Sequence, residues 1–150
     1  MERLDLSVPP ANPTMEAAVH IARYANIIPL VKDKVVLDLA CGEGYGSALL
    51  KKAGAARVVG VDVSSSAIDK AVATFSASGA EYIVADVAQI EKWFASGTFD
   101  VVVSIETIEH VPDHEQFLRS IVQVAKRDAI FYITCPNDYW YYPNEEQKNP

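Results

Sequence analysis

Basic residues are scarce in this chain of 150 residues. Against 20 Asp and Glu stand 13 Lys and Arg, giving a formal net charge of -7 and an isoelectric point near 4.9. A surface that tracks nucleic-acid phosphates needs a basic patch, so nucleic acid is not an expected partner. A nucleotide cofactor is still allowed, because local groups hold it. Cysteine is scarcer still, with Cys41 and Cys135 alone. A disulfide scaffold would carry more, and both are read as reduced thiols. No apolar run approaches the ~20 residues of a membrane span. The N-terminus, Met1-Glu2-Arg3-Leu4-Asp5, has no apolar signal core. The expectation is a cytoplasmic protein that does not enter a membrane. Histidine occurs three times, at 20, 110 and 114. His110 and His114 lie four apart with Glu109, Asp113 and Glu115 nearby, but Pro112 stands between them and reads as a helix start. That breaks the shared helical face a metal pair needs, and no metal site is expected. Internal repeats and low-complexity tracts are absent too.

What is present is an ordinary globular composition, 50% hydrophobic and 22% charged, at a length that suits one domain with a real core. Residues 1–12 read as an irregular lead-in. Asn12 can cap a helix over 13–28, where Ala18, Ile21, Ala22, Ala25 and Ile28 follow helical spacing, and Pro29 discourages its continuation. Strands are expected at 35–40, 57–62, 81–84, 99–104 and 129–134. Helices are expected at 45–53, at 65–77 with Ser64 as cap, at 88–95, and at 113–126. The helix at 65–77 places Ile68, Ala71, Val72 and Phe75 on one face. The last helix is expected to bury Phe117, Leu118, Ile121, Val122 and Ala125. Strands alternating with helices imply right-handed crossovers and a mostly parallel sheet, and nearly continuous apolar strands imply that both faces are covered. The tail of 137–150 is polar apart from Tyr139, Trp140, Tyr141 and Tyr142, and shows no clear period.

The most informative stretch runs from Val35 to Ser47. An apolar strand breaks into glycines at 42, 44 and 46, and a helical pattern follows. Such a turn lets backbone N–H groups approach a ligand without Cβ interference. Twenty residues after Gly42 comes Asp62, at the end of the second strand. A carboxylate there can accept hydrogen bonds from both hydroxyls of a ribose.

Four segments together resemble the class I S-adenosylmethionine-dependent methyltransferases, over about residues 13–136. They are Asp38-Leu39-Ala40-Cys41-Gly42-Glu43-Gly44-Tyr45-Gly46, Val59-Gly60-Val61-Asp62-Val63-Ser64, Ala85-Asp86-Val87, and the run from Phe99 through Glu106 to Glu109-His110-Val111. The last is similar to the Glu-His-Val form of many small-molecule methyltransferases. The resemblance implies a three-layer α/β, Rossmann-like fold with sheet order 3-2-1-4-5. The cofactor crevice then lies where strand order reverses, between the first and fourth strands. It implies that the Ala40 and Gly42 backbones hold the methionine portion and that Gly44 belongs to the same cofactor-binding turn. Asp38 faces the amino group, Asp62 binds the ribose, and Asp86 accepts from adenine between Val63 and Val87. Glu106 contacts cofactor or substrate, or only anchors its loop. His110 is the candidate base, or a structural loop histidine. Read alone, Asp86 is more often a turn or cap residue, and Asp38 can be a strand-end carboxylate bonded to its loop.

Family members usually have seven strands, and strands six and seven are missing here. The expectation is a truncated chain whose fifth strand has an unpaired edge, open to the aromatic tail or to a second copy in a homodimer. The expected activity is methyl transfer from S-adenosylmethionine to a small-molecule acceptor. Two alternatives stay open: a catalytically silent cofactor-binding or regulatory module, and an NAD-dependent oxidoreductase, whose fingerprint Gly42-x-Gly44-x-x-Ser47 nearly meets.

Overall fold

A computed structural model describes residues 15–136. The lead-in, the cap at Asn12 and the tail of 137–150 lie outside them. The elements are α1 (Met15–Ile27), β1 (Val35–Leu39), α2 (Tyr45–Lys52), β2 (Arg57–Asp62), α3 (Ser65–Phe75), β3 (Glu81–Val84), β4 (Phe99–Ile105), α4 (His114–Val124) and β5 (Ala125–Thr134). Short 3-10 segments cover Ile28–Leu30, Ser76–Ser78, Val87–Lys92 and Ile108–His110. All strand pairs are parallel, in the order β3-β2-β1-β4-β5. This is the order expected from the sequence.

Alternation along the strands makes the three layers. Leu37, Leu39, Val59, Val61, Phe99 and Val102 point to one face, where Phe117, Ile121 and Val124 of α4 and Ile90 cover them. Val36, Val58, Val101, Val103 and Ile105 point to the other, under Tyr24 and Ile27 of α1, Val31 and Leu50 of α2. The central strands are therefore buried on both sides, which is why they read as unbroken apolar runs. Asp100 fastens the lower end of the sheet. Its carboxylate accepts from the Val35 N–H at 2.9 Å and from the Lys126 ammonium at 2.7 Å. The lysine holds the Asp100 carboxyl below its ordinary range.

Helix caps follow the expected chemistry. Ser64 Oγ accepts from the Ala67 N–H, and Asp113 Oδ1 accepts from the Gln116 N–H. Helix faces were harder to read. Leu118 and Val122 are 40% and 61% exposed rather than buried. The face of α4 turned to the sheet is Phe117, Ile121 and Val124, with Ser120 beside the Val87–Lys92 segment. Leu118 and Val122 lie about 100° further round, because each helical step turns by that much. Val72 is likewise exposed on α3, and Ala18, Ile21, Ala22 and Ala25 are exposed on α1, which buries Tyr24 and Ile27 instead. The helix expected at 88–95 is the shorter 3-10 segment Val87–Lys92. Helix α4 ends at Val124, and β5 begins at Ala125 rather than 129, with a register shift against β4 between Phe99 and Val101.

Candidate functional site

The chain leaves β1 in an unusual conformation. Ala40, Gly42 and Gly44 all have positive φ, of 54°, 55° and 87°. At Ala40 this is a strained choice for a residue with a Cβ, and such strain persists only where surrounding contacts fix it. Here the Cys41 N–H donates to the Val61 carbonyl at 2.9 Å, and the Gly44 N–H to the Cys41 carbonyl at 3.1 Å. Gly44 also lacks room for a side chain. A Cβ there would meet Ala71 Cβ at 2.6 Å and the Tyr82 ring at 2.7 Å. The Tyr82 hydroxyl donates to the Gly44 carbonyl at 2.9 Å. Gly44 caps α2 without a side-chain acceptor, so the capping hydrogen bond to the first-turn amides is not supplied from there.

Asp62 is brought to this loop as its spacing predicts. It is buried, its Oδ2 accepts from the Gly42 N–H at 3.0 Å, and its Oδ1 accepts from the Ser64 N–H at 2.8 Å. Each oxygen has a second lone pair for a further donor. Val63 next to it is 71% exposed. The end of β3 is tied alongside, since the Ala85 N–H donates to the Asp62 carbonyl at 3.1 Å. Asp86 follows and is exposed. Its Oδ1 accepts from the Ala88 N–H at 2.9 Å and caps the Val87–Lys92 segment, while Val87 packs partly against the core. Asp62, Val63, Asp86 and Val87 therefore share the ends of two paired strands.

Asp38 sits differently. It is fully buried, facing the α1 and α2 layer. The Ser47 hydroxyl donates to Oδ2 at 2.6 Å, and the Tyr24 hydroxyl donates to Oδ1 at 3.0 Å. Burial pushes its carboxyl up to about 6, against the pull of both hydroxyls, and the like charge of Asp62 adds to the rise. Burial also pushes the Cys41 thiol upward. The Tyr45 ring meets Tyr24 edge-on at 5.3 Å between centroids, and its buried hydroxyl has no hydrogen-bond partner among the described residues. An orphaned buried hydroxyl of this kind costs about 1–3 kcal/mol unless something arrives to pair with it.

Strand β4 ends as β1 does, on a left-handed residue, Glu106 with φ 52°. Leu39 and Ser104 are register partners, so the two strained residues emerge side by side where strand order reverses. The Glu106 carboxylate pairs with Arg23 of α1 at 2.8 Å and accepts from Thr134 Oγ1 at 3.3 Å. This anchors its loop to α1 and β5. His110 ends the Ile108–His110 turn at the same end of the sheet. It is exposed, with Nε2 3.9 Å from Glu109 Oε1. His114 opens α4 and is exposed. Among the described residues, no group of three or more His, Cys, Asp or Glu is placed to hold a metal ion.

The sequence did not reveal Tyr24, Ser47, Arg23 or Thr134. Each acts on Asp38 or Glu106 from another element, and no motif spacing marks the pairing. A tyrosine at the buried position of an otherwise alanine-rich helix is the one available hint.

The family model described as "Methyltransferase domain" matches residues 37–133. Norajmaline N-methyltransferase of Rauvolfia serpentina is 35% identical over 117 residues, which is 74% of this chain and 39% of that protein. A ubiquinone biosynthesis O-methyltransferase of Rhizobium rhizogenes is 36% identical over 104 residues, 68% of this chain and 41% of that protein. The chain thus spans well under half the length of these curated relatives. Among solved structures, the PH0226 protein of Pyrococcus horikoshii superposes with a TM-score of 0.68 at 31% identity, over 95% of this chain and 71% of that one.

Proposed function

The chain belongs to the methyltransferase domain family, and from that premise we propose that it binds S-adenosylmethionine across the ends of β1, β2 and β3 and serves methyl transfer to a small-molecule acceptor. The observation that carries this reading is the contact between Asp62 and the glycine loop. A carboxylate held against the Gly42 amide at 3.0 Å is preorganised where a ribose would lie, with lone pairs to spare. Gly42 supports it too, since a Cβ there would meet nothing within 4 Å and the turn leaves open space for a ligand beside Asp62.

The residues divide the work by strand. Asp62 takes the ribose hydroxyls. Asp86 and the side chains of Val63 and Val87 frame the adenine. The Ala40 and Gly42 backbones hold the methionine portion, Gly44 shapes the turn that presents them, and Asp38 supplies negative charge beneath them. Glu106 shapes the site through its left-handed backbone and its tie to Arg23. The bound cofactor supplies an activated methyl group on a sulfonium. The protein's own contribution is alignment and exclusion of water, which can provide on the order of 7–11 kcal/mol in favourable cases. An acceptor that must lose a proton needs a base, and His110 is the candidate at the crevice rim. The N- and O-methyltransferase relatives and the acidic surface support a small acceptor over nucleic acid.

Calorimetric titration with S-adenosylhomocysteine tests the reading. Asp62→Ala is expected to weaken binding at least about tenfold, since hydrogen bonds to a charged group contribute roughly 1.5–3 kcal/mol each. Unchanged affinity overturns the ribose role.

A further inference from the structure

Among the described residues, no cation pairs with the buried Asp38 carboxylate. Its hydrogen-bond partners among the described residues are two neutral hydroxyls, from Tyr24 and Ser47. The titratable groups facing it are Tyr24 on α1, Tyr45 on α2, Cys41 in the loop, Asp62 on β2 and Tyr82 on β3. Burial pushes the phenols and the thiol upward, so they stay neutral through the physiological range. Asp62 is then the neighbour whose charge acts, and it opposes ionisation of Asp38. What favours the carboxylate is hydrogen bonding, and one of its two donors arrives from a different element, α1.

Tyr24 is built into this position. It is 4% exposed, and its ring fills the space a Cβ on Gly46 would take, 2.1 Å from Tyr24 Cζ. It meets the Tyr45 ring edge-on. The next residue back, Arg23, pairs with Glu106. Adjacent residues of one helix thus reach both strand ends that border the crevice. Resting on the cofactor reading above, we propose that Tyr24 is a positioning residue of that site. Its hydroxyl keeps Asp38 ionised to receive the ammonium group of the cofactor's methionine portion, and so couples the docking of α1 to cofactor affinity.

The coupling has a pH signature that packing alone would not give. Tyr24→Phe keeps the ring against Gly46 and removes one hydrogen bond to the carboxylate. Losing such a bond raises the carboxyl's titration midpoint by about one unit. Calorimetric titration of the full chain with S-adenosylhomocysteine from pH 5.5 to 8.5 is the experiment. Wild-type affinity is expected to decline below about pH 6. In Tyr24→Phe the decline begins about one pH unit higher. The variant is then weaker by up to roughly tenfold near pH 6 and within about threefold of wild type at pH 8.5. The 13C shift of the Asp38 carboxyl in the unliganded proteins reads the same midpoint without ligand, and it should move upward in the variant. Ser47→Ala, which removes the other hydroxyl, should move it in the same direction and serves if Tyr24→Phe does not fold. A variant that weakens binding equally at every pH, or leaves the carboxyl midpoint in place, overturns the role of Tyr24 alone. A wild type that binds no S-adenosylhomocysteine at any pH overturns the proposed function and the coupling with it.

Discussion

Asp62 and Asp38 are both buried carboxylates at the ends of central strands, and their surroundings give them opposite characters. Asp62 accepts two backbone N–H groups, which any sequence could provide. Its place against the glycine loop was therefore legible from the distance to the glycine turn alone. Asp38 depends on hydroxyls from Tyr24 and Ser47, and nothing in its own neighbourhood of sequence announces the first of these. The difference has a measurable consequence for stability. The folded-state carboxyl of Asp38 titrates near 6, against 3.8 ordinarily. Between those values the native state binds more protons than the unfolded one, so this group's contribution falls as pH rises and levels off above about 6. Two units correspond to about 3 kcal/mol at most. Asp38→Asn removes that slope. Urea denaturation of the two proteins should coincide near pH 4 and separate toward neutrality, with the variant more stable at pH 8 and weaker in cofactor binding. A wild type that gains stability relative to the variant through this window would show that Asp38 is ionised at no cost. Stability and binding pull in opposite directions here, as is common where a site holds an uncompensated charge.

Strands and helices differed in how openly they declared themselves. Strands β1 to β4 fall within one residue of the expected ranges, while β5 begins through the charged Lys126-Arg127-Asp128, which no apolar run announces. The α-helices lie where periodicity placed them, except that 88–95 is a 3-10 segment, and their buried faces followed apolar spacing only in part. On α4 the pattern offered a stripe wider than the sheet could cover, and Leu118 and Val122 were left outside. On α1 the buried residue that matters is polar at its tip. Two predictions follow the observed faces. Phe117→Ala should cost about 3–5 kcal/mol by urea denaturation, while Val122→Lys should stay within about 0.5 kcal/mol. Had the apolar stripe been the true face, both would be severe. Gly46→Ala tests the seam between α1 and α2. The added Cβ collides with the Tyr24 ring, and such overpacking typically costs about 1–3 kcal/mol. The double variant Gly46→Ala, Tyr24→Ala should cost less than the sum of the singles, because the second change removes the atoms the first one strikes. Additive costs would place the strain elsewhere.

Topology is what brings these pieces to one place. Strand order reverses between β1 and β4, and both strands end there on left-handed residues, Ala40 and Glu106. The fold was legible because a parallel sheet buried on both faces leaves a strong apolar signature, and the crevice followed from the order of the strands. The contacts that fasten α1 to the ends of β1 and β4 were not, since Arg23 to Glu106 and Tyr24 to Asp38 follow no motif spacing that a sequence pattern marks. Binding across so many elements should stabilise the entire domain, not one loop. A ligand at one hundred times its dissociation constant adds about 2.7 kcal/mol to a folded state it binds exclusively. For a chain of this size that is a rise of roughly 5–10 °C in melting temperature. Thermal unfolding with saturating S-adenosylmethionine or S-adenosylhomocysteine should show this rise, and Asp62→Ala should lose most of it at the same ligand concentration. NAD should leave the melting temperature unchanged. It also carries a ribose, so a carboxylate at Asp62 alone would not turn it away. Its nicotinamide half would have to cross the ends of β1 and β4, where the Glu106 loop is pinned to α1 by Arg23. A rise with NAD and none with S-adenosylhomocysteine would mean that the glycine turn serves a dinucleotide instead, and that the negative charge of Asp38 beneath it awaits no ammonium group.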